Sequence, residues 1–255
     1  MDFYELLLAE KLNGGGGGGS GQWTTNGIAQ GLEPSGDIVY NGTTLSDFAF
    51  AGKPITSFTA PNLVSSNNDG NWWFPKCSLL KTISLPLAVR FSINMNNNAY
   101  GTIPLLEKLY IPSVTTLGGQ SLTQMPKLKA VALPSIQTIS ANGLQTPGSG
   151  IETVDFGKNL NSIENYNAPN NNTLVNIILR KDDGIVPCTN VGGLASRLVN
   201  YYIPKALFDH LGDGTSLDYQ SASNWVTRYN SGYCNFVQIE GTQFENYYAD
   251  GTPIN

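Results

Sequence analysis

Apolar positions along most of the chain fall into one recurring phrase: an aliphatic residue, two variable positions, an apolar residue, one variable position, another apolar residue, then usually proline. The clearest copies are Ile55-Thr-Ser-Phe58-Thr-Ala60-Pro61, Leu80-Lys-Thr-Ile83-Ser-Leu85-Pro86, Leu106-Glu-Lys-Leu109-Tyr-Ile111-Pro112 and Leu128-Lys-Ala-Val131-Ala-Leu133-Pro134. Three looser copies begin at Ile151, Leu174 and Leu198. Successive starts differ by 25, 26, 22, 23, 23 and 24 residues, a period in the range of stacked solenoid coils. The alternation near the end of each phrase predicts a short strand, with its apolar residues turned inward and proline closing it. No coil of this kind buries its apolar residues alone, so stability has to come from stacking on neighbours. Seven strands at about 4.8 Å spacing predict a rod roughly 30 Å long.

Between the strands a second apolar set recurs: Val114, Leu117, Leu122 and Met125, then Ile136, Ile139 and Leu144, then Leu160, Ile163 and Tyr166. These predict a return side that packs behind the strands. The variable strand positions form two outward columns. One runs Thr59, Ser84, Tyr110, Ala132, Asp155, Ile178 and Tyr202; the other runs Ser57, Thr82, Lys108, Ala130, Thr153, Asn176 and Asn200. A surface of small polar residues with isolated large ones suits contact with a protein or a glycan more than enclosure of a small molecule. Tyr110, Ile178 and Tyr202 are the expected contact anchors, with Lys108 and Asp155 beside them as partner-binding candidates.

Ala49-Phe50 precedes Ile55, and Phe74-Pro-Lys-Cys77-Ser-Leu-Leu80 carries an aromatic residue, a cysteine and a leucine at three-residue steps. With the strand phrase, this resembles the BspA-like leucine-rich repeats of bacterial surface proteins over residues from about 45 to 204. Met125 replaces the cysteine one coil later, with Leu122 in the aromatic slot. The resemblance implies a leucine-rich-repeat solenoid: right-handed coils with a parallel β-sheet face and short helical or irregular return segments. Residues 205–255 resemble the way such arrays finish and are expected to form an α+β cap, in which Trp225, Tyr229 and Phe236 cover the open end of the stack.

Ahead of the repeats, Phe3, Leu6, Leu7, Leu8 and Leu12 gather on one side of a helix expected over residues 1–13. Eleven helical residues rise about 16 Å, and so short a helix is marginal in water without a partner. Acidic residues flank its leucines and its first charge is Asp2, which argues against a cleaved signal. Residues 14–21 hold six consecutive glycines and predict a flexible tether of about 15 Å; residues 22–44 are a lead-in. A leucine-bearing helix, a polyglycine run and repeats of this type together resemble phage or prophage proteins. That resemblance implies a virion-associated protein, with the helix docked on another virion or surface protein and the repeats displayed to a host-surface protein or glycan.

Composition narrows the chemistry. Charged residues are 13% of the chain, against roughly 25% in an average soluble protein. The net charge of −5 offers no basic surface for nucleic acid or anionic lipid. No apolar run approaches the ~18–20 residues of a membrane span. Cys77, Cys188, Cys234 and the single His210 match no zinc-ligand spacing, and no cofactor is expected. His210 reads as an ordinary residue of a short helix, and no Gly-x-Ser-x-Gly elbow accompanies it. Cys77, in an apolar slot of the repeat, reads as a packing residue. Asp209 to Asp218 misses the calcium-loop register and reads as a turn. A solenoid glycosidase would need two carboxylates about 5 to 9.5 Å apart, for which Glu107, Glu152 and Asp155 are the candidates. The favoured expectation is a non-enzymatic interaction protein; a cell-surface adhesin and a polysaccharide depolymerase are the competing readings.

Overall fold

The computed structural model describes residues 21–23, 34–45, 49–64, 73–91, 103–118, 121–139, 148–163, 173–181, 198–211, 232 and 234–254. The docking helix and polyglycine tether expected at the N-terminus lie outside these, apart from Gly21. So do Cys188, Leu144, Tyr166, Asp218, Trp225 and Tyr229.

Parallel strands stack coil upon coil. The face strands of the first half are β1 (Gly21–Trp23), β2 (Gly36–Tyr40), β3 (Ile55–Thr59), β4 (Thr82–Ser84) and, one coil on, β6 (Lys108–Tyr110). Those of the second half are β8 (Ala130–Leu133), β10 (Thr153–Phe156), β12 (Asn176–Leu179), β13 (Val199–Ile203) and β14 (Cys234–Gln238). On the return side, β5 (Arg90–Phe91), β7 (Thr116–Leu117), β9 (Thr138–Ile139) and β11 (Ser162–Ile163) form a second parallel ladder. One short helix, α1 (Lys205–Leu211), follows β13. The chain is therefore a parallel β-solenoid of the leucine-rich-repeat type, with little helix among the described residues. The face extends past the repeats read from the sequence: β1 and β2 precede residue 45, and β14 follows residue 204.

Register explains why the phrase repeats. Phe58 lies level with Ile83 and Ile83 with Leu109; Val131, Val154, Ile177 and Tyr201 form the same column in the second half. All seven are buried. The apolar residue that opens each phrase is buried as well in six copies, but Leu198 is 56% exposed. In that coil β13 alternates Val199, Tyr201 and Ile203 inward, so Val199 takes the buried place of the opening residue while Tyr201 and Ile203 keep theirs. Phe91, Leu117 and Ile139 stack in register on the return side and close the core from behind.

Successive coils are also joined at their corners. Cys77 Sγ–H donates to the Phe50 carbonyl at 2.9 Å, linking the cysteine slot of one coil to the aromatic slot of the coil before. Phe50, Phe58 and Phe74 pack ring to ring around that corner, with centroids 4.9 Å apart for Phe50–Phe58 and for Phe58–Phe74. Gly157 occupies the slot that holds proline in the better copies. Its N–H donates to the Leu133 carbonyl at 3.1 Å, which proline could not do. A Cβ at that position would lie 1.8 Å from the Pro134 carbonyl oxygen, so the coil closes only without a side chain.

The two halves of the face meet at a seam. No ladder pairing joins β6 to β8, although the two strands are neighbours. The return ladder runs through without a break: β7 pairs with β9, and the Gln137 and Thr138 amides both donate to the Thr115 carbonyl.

Candidate functional site

The outward columns stand in the register read from the sequence. Thr59, Ser84 and Tyr110 are level in the first half; Ala132, Asp155, Ile178 and Tyr202 are level in the second, where β14 adds Val237. In the other column Asn235 Nδ2 donates to Asn200 Oδ1, Asn200 Nδ2 to Asn176 Oδ1, and Asn176 Nδ2 to Thr153 Oγ1, at 3.0, 3.1 and 3.2 Å. The second-half column is thus an amide ladder that ties four strands together through their side chains.

The first outward column is divided by the C-terminal segment. After β14 the chain turns back, and residues 239–254 cross the outer side of the second-half strands. Ile178 is fully buried and packs with Ile239 and Phe244. The Tyr202 ring meets that of Phe244 edge-on, centroids 4.8 Å apart. Two expectations change here. Asp155 and Ile178 point outward but are buried under this segment, so they present no surface to a partner while it is in place. Tyr202 is half-buried by the same contact. The expected residues that remain on the surface are Lys108, which is exposed, and Tyr110, which is half-exposed.

Arg180 makes the cover specific. It follows β12 in the slot where better copies of the phrase hold proline, and its side chain is 7% exposed. Nε and Nη2 donate to the two oxygens of Asp155 at 2.9 and 2.8 Å. Nη2 also reaches the carbonyls of Phe244 and Tyr247 at 2.8 and 2.7 Å. Asp155 accepts a further bond from the Ala249 amide at 3.0 Å, across 94 positions of sequence. The Tyr248 ring lies under the guanidinium, 5.1 Å from its carbon. Burial pushes the Asp155 carboxyl up to about 6, against the downward pull of Arg180, so it remains a carboxylate at neutral pH. Burial likewise raises the Tyr248 hydroxyl. The sequence reading missed Arg180. Its signals were a cation where proline is expected and a carboxylate one coil earlier.

Two hollows flank the C-terminal segment and share Pro134 and Tyr248 as walls. The smaller, about 250 Å³, lies across the seam and is edged by Tyr110, Ser113, Ala132, Ser135, Asp250 and Pro253. The larger, about 560 Å³, lies beyond the ends of the second-half strands.

Other candidate chemistry is committed elsewhere. Glu152 pairs with Lys129 at 2.6 Å on the surface, both side chains at least half exposed. Asp155 serves the buried pair. Burial drives the Cys77 thiol up to about 12, so it stays protonated and unreactive at neutral pH. Among the described residues no three His, Cys, Asp or Glu side chains gather as metal ligands would, and no helix is long and apolar enough to cross a membrane.

Comparison with known proteins bears on the fold. A family model described as a BspA type leucine rich repeat region matches residues 37–95 and 93–184, in six copies. No curated protein and no solved structure matches the chain.

Proposed function

The chain belongs to the BspA-type leucine-rich repeat family, and we propose that it is a non-enzymatic interaction protein that holds its partner on the first half of the strand face. The observation that supports this most is the division of that face. The second half is occupied by the chain's own C-terminal segment, while Tyr110 edges the groove at the seam and Lys108, two residues before it, is exposed. Thr59 and Ser84 are buried, so Lys108, Tyr110 and the groove rim carry the contact. A cation and an aromatic ring on a sheet edge suit a host-surface protein with acidic and apolar groups.

Within this reading the N-terminal Phe3, Leu6, Leu7, Leu8 and Leu12 dock the chain on another virion or surface protein, and the polyglycine tether spaces the repeats from it. The reading rests there on the amphipathic spacing and the glycine run of the sequence.

Cosedimentation with virions and with host cells tests both attachments. A version starting at Ser20, which keeps β1, is expected to lose virion association and keep host-cell binding. The double variant Lys108→Glu and Tyr110→Ala is expected to do the reverse. Host binding unchanged in the double variant would refute the face assignment.

A further inference from the structure

We propose that the larger hollow, roofed by the C-terminal segment, is a binding site for a single neutral sugar residue. This site is separate from the groove at the seam, and Arg180 forms part of its wall. That side chain is more than nine-tenths buried and is fixed through Nε and Nη2. Its Nη1 keeps two N–H groups for which the described residues supply no acceptor, and Arg180 lines the hollow. A guanidinium held so rigidly presents its remaining donors without further loss of freedom on binding.

Opposite charges and hydrogen-bonding groups share the lining. Lys158, Asn159 and Arg180 bring donors, while Glu240 and Glu245 bring acceptors. Both carboxylates are anchored by backbone amides: Glu240 accepts from Lys205 N–H at the start of α1 through both oxygens, at 2.9 and 3.0 Å, and Glu245 accepts from Gly241 N–H at 2.8 Å. Each carboxylate oxygen retains further acceptor capacity. Ile239, Ile254, Pro134 and Pro204 supply apolar walls.

This combination selects among ligands. A polyanion would face two fixed carboxylates, and an apolar ligand would strip water from ionised groups without replacing it. Sugar hydroxyls donate and accept at once, and the C–H faces of the ring match the aliphatic walls. The volume of about 560 Å³ falls in the usual range of small-molecule sites, about 300–1,000 Å³.

Saturation-transfer NMR on the full chain tests this with glucose, galactose, mannose, N-acetylglucosamine and, as charged controls, glucuronate and inorganic phosphate. Transfer to at least one neutral sugar is expected. Asn159→Ala and Glu245→Ala, both surface changes that leave the Arg180–Asp155 pair intact, should each reduce it at least tenfold in affinity. Lys108→Glu with Tyr110→Ala should leave it unchanged, which separates this site from the partner face. Transfer to none of the neutral sugars, a response to phosphate alone, or sugar binding indifferent to both cavity variants would overturn the proposal.

Discussion

Arg180 and Asp155 sit 25 positions apart in sequence and form a two-pronged ion pair buried between the strand face and the returning C-terminal segment. The pair has a double duty, since the same guanidinium nitrogen that holds Asp155 also holds the Phe244 and Tyr247 carbonyls. Removing the cation therefore strands a carboxylate and two carbonyls together. A buried pair broken in this way costs about 3–5 kcal/mol. Arg180→Met should show that loss at pH 7 in urea denaturation. Pairing Arg180→Met with Asp155→Leu should restore part of it, because no buried charge is left behind, while the Phe244 and Tyr247 carbonyls still lack the guanidinium.

The same variant carries a pH signature. Burial already raises the Asp155 carboxyl to about 6 with Arg180 present, and without the guanidinium's downward pull it rises further. A carboxyl raised in the folded state favours folding below its unfolded value near 3.8, and that contribution disappears as pH climbs through the folded value. Arg180→Met should thus regain stability on acidification from pH 7 to pH 5, relative to the same variant carrying Asp155→Leu. Denaturation midpoints of the two at both pH values check this; a constant difference would mean that Asp155 does not titrate as described.

Gly157→Ala should destabilise by at least the ~1–3 kcal/mol of an overpacked interior, because the added methyl meets a backbone carbonyl and not a movable side chain. Gly52→Ala is the useful contrast. Gly52 has φ +68° but open space around its missing Cβ, so its cost is conformational only. Thermal melts of the two variants should rank Gly157→Ala as the more damaging.

Asn200 is the middle rung of the amide ladder, donating to Asn176 and accepting from Asn235. Asn200→Ala breaks both bonds and should cost about 1–3 kcal/mol at ~0.5–1.5 kcal/mol each. Glu152→Ala, which breaks only the exposed pair with Lys129, should cost less than about 1 kcal/mol. Equal losses for the two would contradict the ladder's contribution.

In a background carrying Cys188→Ser and Cys234→Ser, the thiol of Cys77 should resist an aromatic disulfide reagent at pH 8 and react in full once urea unfolds the chain. Its burial and its bond to the Phe50 carbonyl both have to be lost first. Rapid labelling of the native protein would place the thiol at the surface instead.

The stack was legible because every coil must bury the same positions, and Phe58, Ile83, Leu109 and Val131 therefore recur at one period. The outward columns followed from the same register. The path of the C-terminal segment has no period to read, and its contact with Asp155 joins residues 94 positions apart. Ile178 and Asp155 looked like surface residues because alternation places them outward, and alternation says nothing of what lies on top. Leu198 looked buried for a related reason: its phrase matches by spacing, but the strand alternation puts Val199 inside. The departures from proline at Gly157 and Arg180 mark where a close approach and a sideways ion pair replace the ordinary turn.

The seam between β6 and β8 gives the rod an uneven stiffness. On its back the return ladder is continuous, whereas on its front the two halves meet without a backbone ladder. Such a joint resists shear along the back and yields most readily by opening at the front, as a book opens about its spine. Tyr110 and Ala132 stand on opposite pages of that opening, so a partner wedged between them would set the curvature of the whole rod.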